Sequence, residues 1–473
     1  MSEISLDHQQ PSSFWCDRLR NQRNSIALID ENDAVFLYSD LDSRVESAAQ
    51  FLRQKGPRQL GLLFMGNTLP CIVAYLACLR AGHVPVLLPD TLSSDLVEPL
   101  LHNYQPDWVM RADQLGVVLP GSGLRYSENI QTNCESSAPL APELGLLLST
   151  SGTTGSPKLV RLSYRALQAN ADSIAEYLCL SPCEKALTML PPSYSYGLSI
   201  INSHLNAGAC LVLRNTSVLS PDFAKVILEQ EVTSISGVPY IYQMLYRTGF
   251  QKQSFPSLRS LTQAGGRMDD RLINVFAQLA VENGWQFYVM YGQTEAAPRI
   301  SFVPPERLLD KVGSIGIAIP GGKLYVDPLD DELVYEGPNV MLGYAESRVD
   351  LSRPDELKGV LRTGDLARVD GDGYFYVTGR KKRFVKLAGN RVGLDEVEQK
   401  LQSALRVPAS VGGRDERMVI WLEGKDDNLA ETAKLLLAEQ YGIHHSMFCI
   451  RVVEELALLP TGKKDYAALM EDA

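Results

Sequence analysis

No apolar run in this 473-residue chain approaches the roughly 20 residues needed to span a bilayer. The nearest candidate, Cys71 to Leu88, is interrupted by Arg80, His83 and Pro85, so no membrane span is expected. Basic residues are also short: 45 Lys and Arg against 56 Asp and Glu leave a formal charge of -11. A phosphate-backbone partner needs clustered cations to displace counterions, so nucleic acid is excluded as a ligand. The eight cysteines are scattered. The one close pair, Cys179 and Cys183, has no second pair or neighbouring His to complete a metal site. Reduced, buried thiols are the expectation. The opening MSEISLDHQQPSSFW has neither a basic n-region nor an apolar h-region, which points to a cytoplasmic protein. Internal repeats and low-complexity tracts are lacking as well, which removes solenoid and fibrous architectures.

What is present is a globular composition, 45% hydrophobic and 21% charged, in a chain too long for one ordinary core. Short apolar runs alternate with amphipathic stretches: LGLLFM (60–65), PCIVAYLACLRAG (70–82), VPVLLP (84–89), then KALTML (185–190), a stretch near 198–206 and ACLVLR (209–214). A third pass runs from SISGVP (234–239) to WQFYVMYG (285–292). This is the rhythm of parallel sheets covered by helices. The polar, turn-rich residues 115–142 are expected to be a surface connection separating two parts of the body. From about residue 320, short β segments with Gly and Asp turns predict a small barrel or antiparallel sheet. The expected fold is therefore α/β: two βα-layered subdomains plus a small β-rich one, followed after the basic run RKKR by a small α+β C-terminal domain. The boundary is placed at 1–381 and 382–473, with a hinge near Lys382.

The strongest chemical signal is LLLSTSGTTGSPKLVRLS (146–163), an apolar strand running into a loop of Gly, Ser and Thr that ends at Lys158. Glycines let a backbone approach anionic oxygens, hydroxyls and N–H groups donate to them, and a Lys adds a point charge. A Walker A loop is excluded, because Pro157 precedes Lys158 and Leu159 follows it.

The loop resembles the signature of the adenylate-forming superfamily of acyl-CoA synthetases, AMP-dependent ligases and adenylation domains. Further segments follow in that family's order: AGGRM (264–268), MYGQTEAAPRIS (290–301), DELVYEGPNVMLGY (331–344), LRTGDLARVDGDGYFYVTGRKKRFVK (361–386), GNRVGLDEVE (389–398) and LPTGKKDY (459–466). The likeness covers residues 25 to 466. It implies that Thr150, Ser151, Gly152, Thr153, Thr154, Gly155 and Lys158 hold ATP phosphates. Gly265, Gly266, Arg267, Tyr291 and Gly292 would lie at the adenine, and Thr294 at the α-phosphate. Glu295 would bind Mg2+, a role suited to a hard carboxylate oxygen. Asp365 would accept both ribose hydroxyls and Arg380 would reach the ribose or phosphate. Lys463, directly after Gly462, matches the mobile catalytic lysine that stabilises charge between carboxylate and α-phosphate, whereas its neighbour Lys464 takes no role in the pattern. Lys382 takes the hinge position and Arg391 a place near the incoming thiol. Two half-reactions in different domain poses are implied.

The acyl pocket is expected from Tyr194, Gly197, Val238 and Pro239. Gly197 stands where amino-acid-activating relatives carry an Asp for the α-ammonium, which disfavours an α-amino acid and, on this reading, leaves room in the pocket. His204 reads as a helix histidine. Asp331, where many relatives have Gly, and a short tail after Lys382 depart from the pattern. The activity implied is conversion of a small carboxylic acid to acyl-AMP with ATP and Mg2+, then transfer to CoA or to the phosphopantetheine of an acyl carrier protein. The alternatives are a stand-alone amino-acid adenylating enzyme that loads a carrier protein and a non-catalytic AMP-binding scaffold.

Overall fold

A computed structural model describes residues 14–111, 117–128, 139–149, 158–215, 217–381, 383–387, 390–414, 417–426, 428–441, 447–459 and 464–471. The mixed α/β class expected from the apolar rhythm is what these residues form. The chain divides into two compact units. The first holds residues 1–312, 316–323 and 336–361; the second holds 313–315, 324–335 and 362–473.

The first unit is built on two large sheets. An eight-stranded sheet has a parallel centre, Leu144–Ser149, Val84–Pro89, Leu60–Met65 and Trp108–Arg111 in spatial order. Leu60–Met65 is buried along its whole length, as a parallel strand covered on both faces must be. Its Gly61 is dictated by packing, since a Cβ there would stand 2.1 Å from the Trp108 ring. The helix Leu69–Ala81 is nearly all buried and ends at Gly82 with φ 80°, a left-handed cap that Gly adopts without steric cost. The expected surface connection 115–142 is corrected here. Its described part carries Val117–Val118 and Arg125–Glu128, which extend this same sheet as antiparallel edge strands. The segment therefore interrupts one sheet rather than separating two.

The change of sheet comes after the helix Tyr164–Tyr177. The nine-stranded sheet has the parallel core Gln286–Gly292, Ser260–Gln263, Ser234–Gly237, Lys185–Thr188, Cys210–Leu213 and Ile26–Ile29. Antiparallel strands close both edges, Val35–Leu37 on one side and Arg299–Val303 with Ile317–Ala318 on the other.

The second unit contains most of a four-stranded sheet whose middle strands are Glu332–Glu336 and Val360–Val369. It continues into a hairpin (Phe384–Leu387, Asn390–Gly393), the helix Leu394–Leu405 and a three-stranded sheet. Val385, Val392, Val397, Val411, Ile420 and Leu437 share one apolar core there. Arg383 pins that core from the side: its guanidinium stacks 3.9 Å from the centroid of the Tyr466 ring and pairs with Asp395.

Two histidines of the first unit, His83 and His204, are buried, and desolvation pushes both down to about 4. The Gln59 N–H donates to His83 Nδ1, a bond that requires a bare ring nitrogen. In the unfolded chain the same groups titrate near 6.5, so the unfolded state takes up protons first. Their contribution to stability is complete above about pH 6.5 and is lost as pH falls toward 4. We expect the urea midpoint of the first unit to fall across that window, and His83→Gln to flatten the slope. An unchanged slope in the variant would remove His83 from this account.

Candidate active site

Four parallel strands of the nine-stranded sheet end on the same side, and each runs into a residue singled out in the sequence. Lys185–Thr188 leads to Tyr194, Ser234–Gly237 to Val238 and Pro239, Ser260–Gln263 to Gly265–Arg267, and Gln286–Gly292 to Thr294 and Glu295. Carboxyl ends of parallel strands are where open α/β sheets bind ligands. Gly265 adopts φ 87°, and a Cβ there would meet the Tyr194 hydroxyl at 2.5 Å and Val238 at 3.1 Å. A Cβ on Gly266 would lie 3.4 Å from Pro239, and the Gln263 amide donates to the Gly266 carbonyl at 2.9 Å. Tyr194, Val238, Pro239 and the glycine turn thus meet in one place. Burial pushes the Tyr194 phenol up to about 12, so it is a neutral donor at physiological pH. Arg267 points away into an exposed ion pair with Asp270.

The Thr294 and Ser195 hydroxyls lie 3.1 Å apart, tying the turn after Gly292 to the first residue of the helix Ser195–Asn206. Gly292 has no alternative residue, because a Cβ would fall 1.8 Å from the Pro298 carbonyl oxygen. The Gln293 amide donates to the Tyr291 hydroxyl at 3.2 Å. Gly197 is corrected against the sequence reading. It opens no space in the pocket, since a Cβ would meet the Pro191 carbonyl at 2.3 Å and that of Leu190 at 2.7 Å. Glycine stands there because the helix start is pressed onto backbone, and any side chain, acidic or not, would collide.

The candidate phosphate loop is reached from the other sheet. Its residues Thr150, Ser151, Gly152, Thr153, Thr154 and Gly155 lie outside the described residues. Its ends are fixed by antiparallel pairing of Ser149 with Leu159. Lys158 Nζ sits 3.7 Å from the centroid of the Tyr344 ring, and the Tyr344 hydroxyl donates to Glu295 Oε1 at 2.8 Å. Burial and the adjoining Glu295 carboxylate push the Tyr344 phenol well above its ordinary value, so it stays a donor. The same segment grips the turn twice more: Met341 N–H donates to the Glu295 carbonyl, and the Asn339 amide donates to the carbonyls of Ala296 and Arg299. A cleft of about 560 Å3 opens beside Lys158, walled by Tyr344, Glu346, Asp350, Arg353 and Glu356. Tyr344 was passed over in the sequence, although it closes the quoted segment DELVYEGPNVMLGY.

Among the described residues, no three His, Cys, Asp or Glu side chains gather into a metal cage. Mg2+ needs none, because it is held through one or two carboxylates plus substrate phosphates. Glu295 fits that demand: Tyr344 engages one carboxylate oxygen and orients the other.

In the second unit Asp365 is 5% exposed and lies 3.3 Å from Arg380 Nε, its register partner on the neighbouring strand. The preceding Gly364 N–H donates to Glu332 Oε1 at 2.9 Å. Lys381 donates to Glu332 and Asp330, and Arg362 pairs with Asp327, Asp330 and Glu332. Asp331 has φ 57°, the left-handed region that Gly occupies freely and Asp tolerates, so the departure from Gly keeps the turn. Arg391 lies on the strand Asn390–Gly393 opposite Lys386. Lys382 and Lys463 lie outside the described residues, and Lys464 is taken up by Glu398 and the Ala409 carbonyl.

Residues 16–345 match the family model described as AMP-binding enzyme. The chain belongs to that family. Among curated relatives, this AMP-binding enzyme is 29% identical over 414 residues to the feruloyl-CoA synthase of an Amycolatopsis species, covering 82% of each chain. It is 29% identical over 398 residues to the 2-succinylbenzoate–CoA ligase of Bacillus cytotoxicus, covering 80% of each. It is 27% identical over 414 residues to the L-proline–[L-prolyl-carrier protein] ligase of Pseudomonas fluorescens, covering 79% of this chain and 80% of that one. Its fold is that of the o-succinylbenzoate CoA synthetase of Bacillus subtilis solved with ATP and magnesium, with a TM-score of 0.77 at 24% identity over 97% of this chain and 99% of that one. No described helix is long and apolar enough to cross a membrane.

Replacing Tyr344 by Phe keeps the ring under Lys158 and deletes only the bond to Glu295. A hydrogen bond to a charged group contributes about 1.5–3 kcal/mol, so the apparent affinity for ATP with Mg2+ should weaken roughly tenfold in this half-exposed setting. Steady-state kinetics at varied nucleotide checks it; an unchanged KM would show that Tyr344 does not orient the carboxylate.

Proposed function

We propose that this AMP-binding enzyme is an AMP-forming acid–thiol ligase that activates a small carboxylic acid with ATP and Mg2+ and passes the acyl group to CoA. The observation that carries the reading is the run Lys158–Tyr344–Glu295, with Thr294 bonded to Ser195 in the same unit. It joins the end of the glycine-rich loop, the Tyr-Gly-Gln-Thr-Glu segment and the acyl-side helix, so that phosphate donors, a cation ligand and the acid pocket serve one reaction centre.

In this reading the loop Thr150–Gly155 and Lys158 hold the phosphates, Tyr291 and the Gly265–Gly266 turn take the adenine, and Asp365 takes the ribose. Glu295 would hold Mg2+, which would neutralise charge on the phosphates. A carboxylate oxygen of the acid attacks the α-phosphorus; the bond to pyrophosphate breaks and its electron pair leaves with pyrophosphate. Lys463 stabilises the charge that gathers on the α-phosphate oxygens. A thiolate sulfur then attacks the acyl carbon and AMP departs. We assign the swing between the two steps to a boundary at Lys382, between residues 1–381 and 382–473, with Arg391 on the thiol side.

The relatives named as CoA synthases and ligases support CoA as the acceptor. A carrier-protein phosphopantetheine is the second reading, supported by the relative named as a prolyl-carrier protein ligase. An α-amino acid is disfavoured, because Gly197 offers its ammonium no counter-charge and burial of an unpaired ammonium is costly. A cytoplasmic setting fits the seven described cysteines, all free thiols.

Exchange of labelled pyrophosphate into ATP across a panel of carboxylic acids tests the first step. Wild type should exchange with at least one acid, and Lys463→Ala should lose about 100-fold or more while still binding nucleotide. Nucleotide binding without exchange by any acid would favour a scaffold.

A further inference from the structure

Arg299 opens the edge strand Arg299–Val303 and is 3% exposed. Its guanidinium lies 4.2 Å from the centroid of the Tyr196 ring, and its Nε–H has no partner. Together with Ser199, Ser203, His204, Ser234 and Thr262 it lines a buried cavity of about 10 Å3. A cavity of roughly that size holds one oxygen-sized group and little more.

The polar atoms around it specify which group. His204 is 3% exposed, and its Nδ1 lies 2.9 Å from the Ile200 carbonyl. A carbonyl only accepts, so Nδ1 carries the proton and Nε2 is a bare acceptor, left without a partner. Ser234 Oγ is also unpartnered. The residues lining the cavity therefore bring with them one orphan donor, Arg299 Nε–H, one orphan acceptor, His204 Nε2, and the Ser234 hydroxyl, able to play either part. An apolar tail would strand all three, and each stranded buried group costs about 1–3 kcal/mol. A carboxylate satisfies Arg299 but has no proton for His204. A hydroxyl accepts from one and donates to the other.

The cavity also lies at a suitable distance from the reacting end. Ser195, Ser199 and Ser203 recur every fourth residue along one face of the helix Ser195–Asn206. The first bonds Thr294, and the other two line the cavity. At 1.5 Å per residue they stand roughly 6 and 12 Å further along the helix axis.

We propose that the acid carries a hydroxyl at the end remote from its carboxylate, and that this hydroxyl docks in the cavity, accepting from Arg299 and donating to His204. The substrate class is thus a hydroxy acid whose two functions lie about 6–12 Å apart. The inference rests on the acid-activating reading and narrows it.

The test compares acids of one alkyl and one aryl scaffold that differ only in the terminal group, hydroxyl, methyl, methoxy or carboxylate, by pyrophosphate exchange with the wild-type chain. The hydroxyl acid should exceed the methyl acid in kcat/KM by about tenfold or more, with methoxy and carboxylate below the hydroxyl. Arg299→Lys should bring the hydroxyl-to-methyl ratio of kcat/KM toward one, read as a ratio within the variant and not as the rate with either acid. Where that variant does not fold, the wild-type ratios decide alone. Equal exchange with hydroxyl and methyl acids, or a structure with bound acid that shows a water in the cavity and the tail elsewhere, overturns the proposal and leaves acid activation standing. Absence of exchange with every acid overturns both.

Discussion

One buried cation among several, Arg161, holds the part of the molecule on which the rest of the site depends. It is fully buried three residues beyond Lys158, out of reach of bulk solvent. It donates instead to the carbonyls of Leu342, at 3.1 Å, and Arg353, at 2.6 Å, and to the Glu356 carboxylate. A charge so placed is costly unless it is paired, and removal of the Glu356 carboxylate leaves an uncompensated ion. The segment from Leu342 to Glu356 is consequently locked against the strand Leu159–Ser163, and Gly343 has to be glycine, because a Cβ would stand 2.2 Å from Glu356 and 2.7 Å from Arg161. Tyr344 is the next residue. Its position between Lys158 and Glu295 follows from that lock, as does the grip of Met341 on the turn after Thr294.

This explains how a site assembles from segments separated by almost two hundred residues. The strand ends of the nine-stranded sheet deliver Tyr194, Val238, Gly265 and Thr294, each on the short connection that follows its strand. The eight-stranded sheet delivers Lys158. The segment around Tyr344 bridges them, since it pairs with the second sheet while its polar atoms hold the edge turn of the first.

Much of the fold was legible because burial leaves an imprint on composition. Fully covered parallel strands read as unbroken apolar runs, and LGLLFM and VPVLLP became strands with the bounds those runs suggested. Residues 117–128 were misjudged because edge strands are short and half solvated, so their composition is that of a loop. The candidate site was legible where chemistry demands a residue type, as at Thr294, Glu295 and Asp365. It was illegible where geometry does the choosing. Gly197 looks like an opening until its neighbours' carbonyls are located, and Asp331 looks like a departure until its left-handed φ is known. Tyr344 and Arg299 stood inside quoted segments, yet only spatial neighbours show that one orients a carboxylate and the other borders a cavity.

The distribution of polarity in the first unit carries a further argument. Parallel sheets covered by helices favour apolar interiors, and the eight-stranded sheet obeys: Leu60, Leu62, Val84, Val86, Leu144 and Leu147 form its core. The nine-stranded sheet does not. Around the helix Ser195–Asn206 it buries Ser199, Asn202, Ser203, His204, Ser234, Ser236 and Arg299. Hydroxyls can satisfy themselves on nearby carbonyls, as Ser199 does on Tyr196 and Ser203 on Ile200. A guanidinium and an imidazole with unpartnered nitrogens cannot, and apolar residues of similar volume would relieve the cost at no loss to the sheet. Arg299 and His204 thus stand apart from the apolar filling of the eight-stranded sheet, and their placement suits recognition, because a pocket discriminates most strongly when a wrong occupant leaves its buried polar groups without partners.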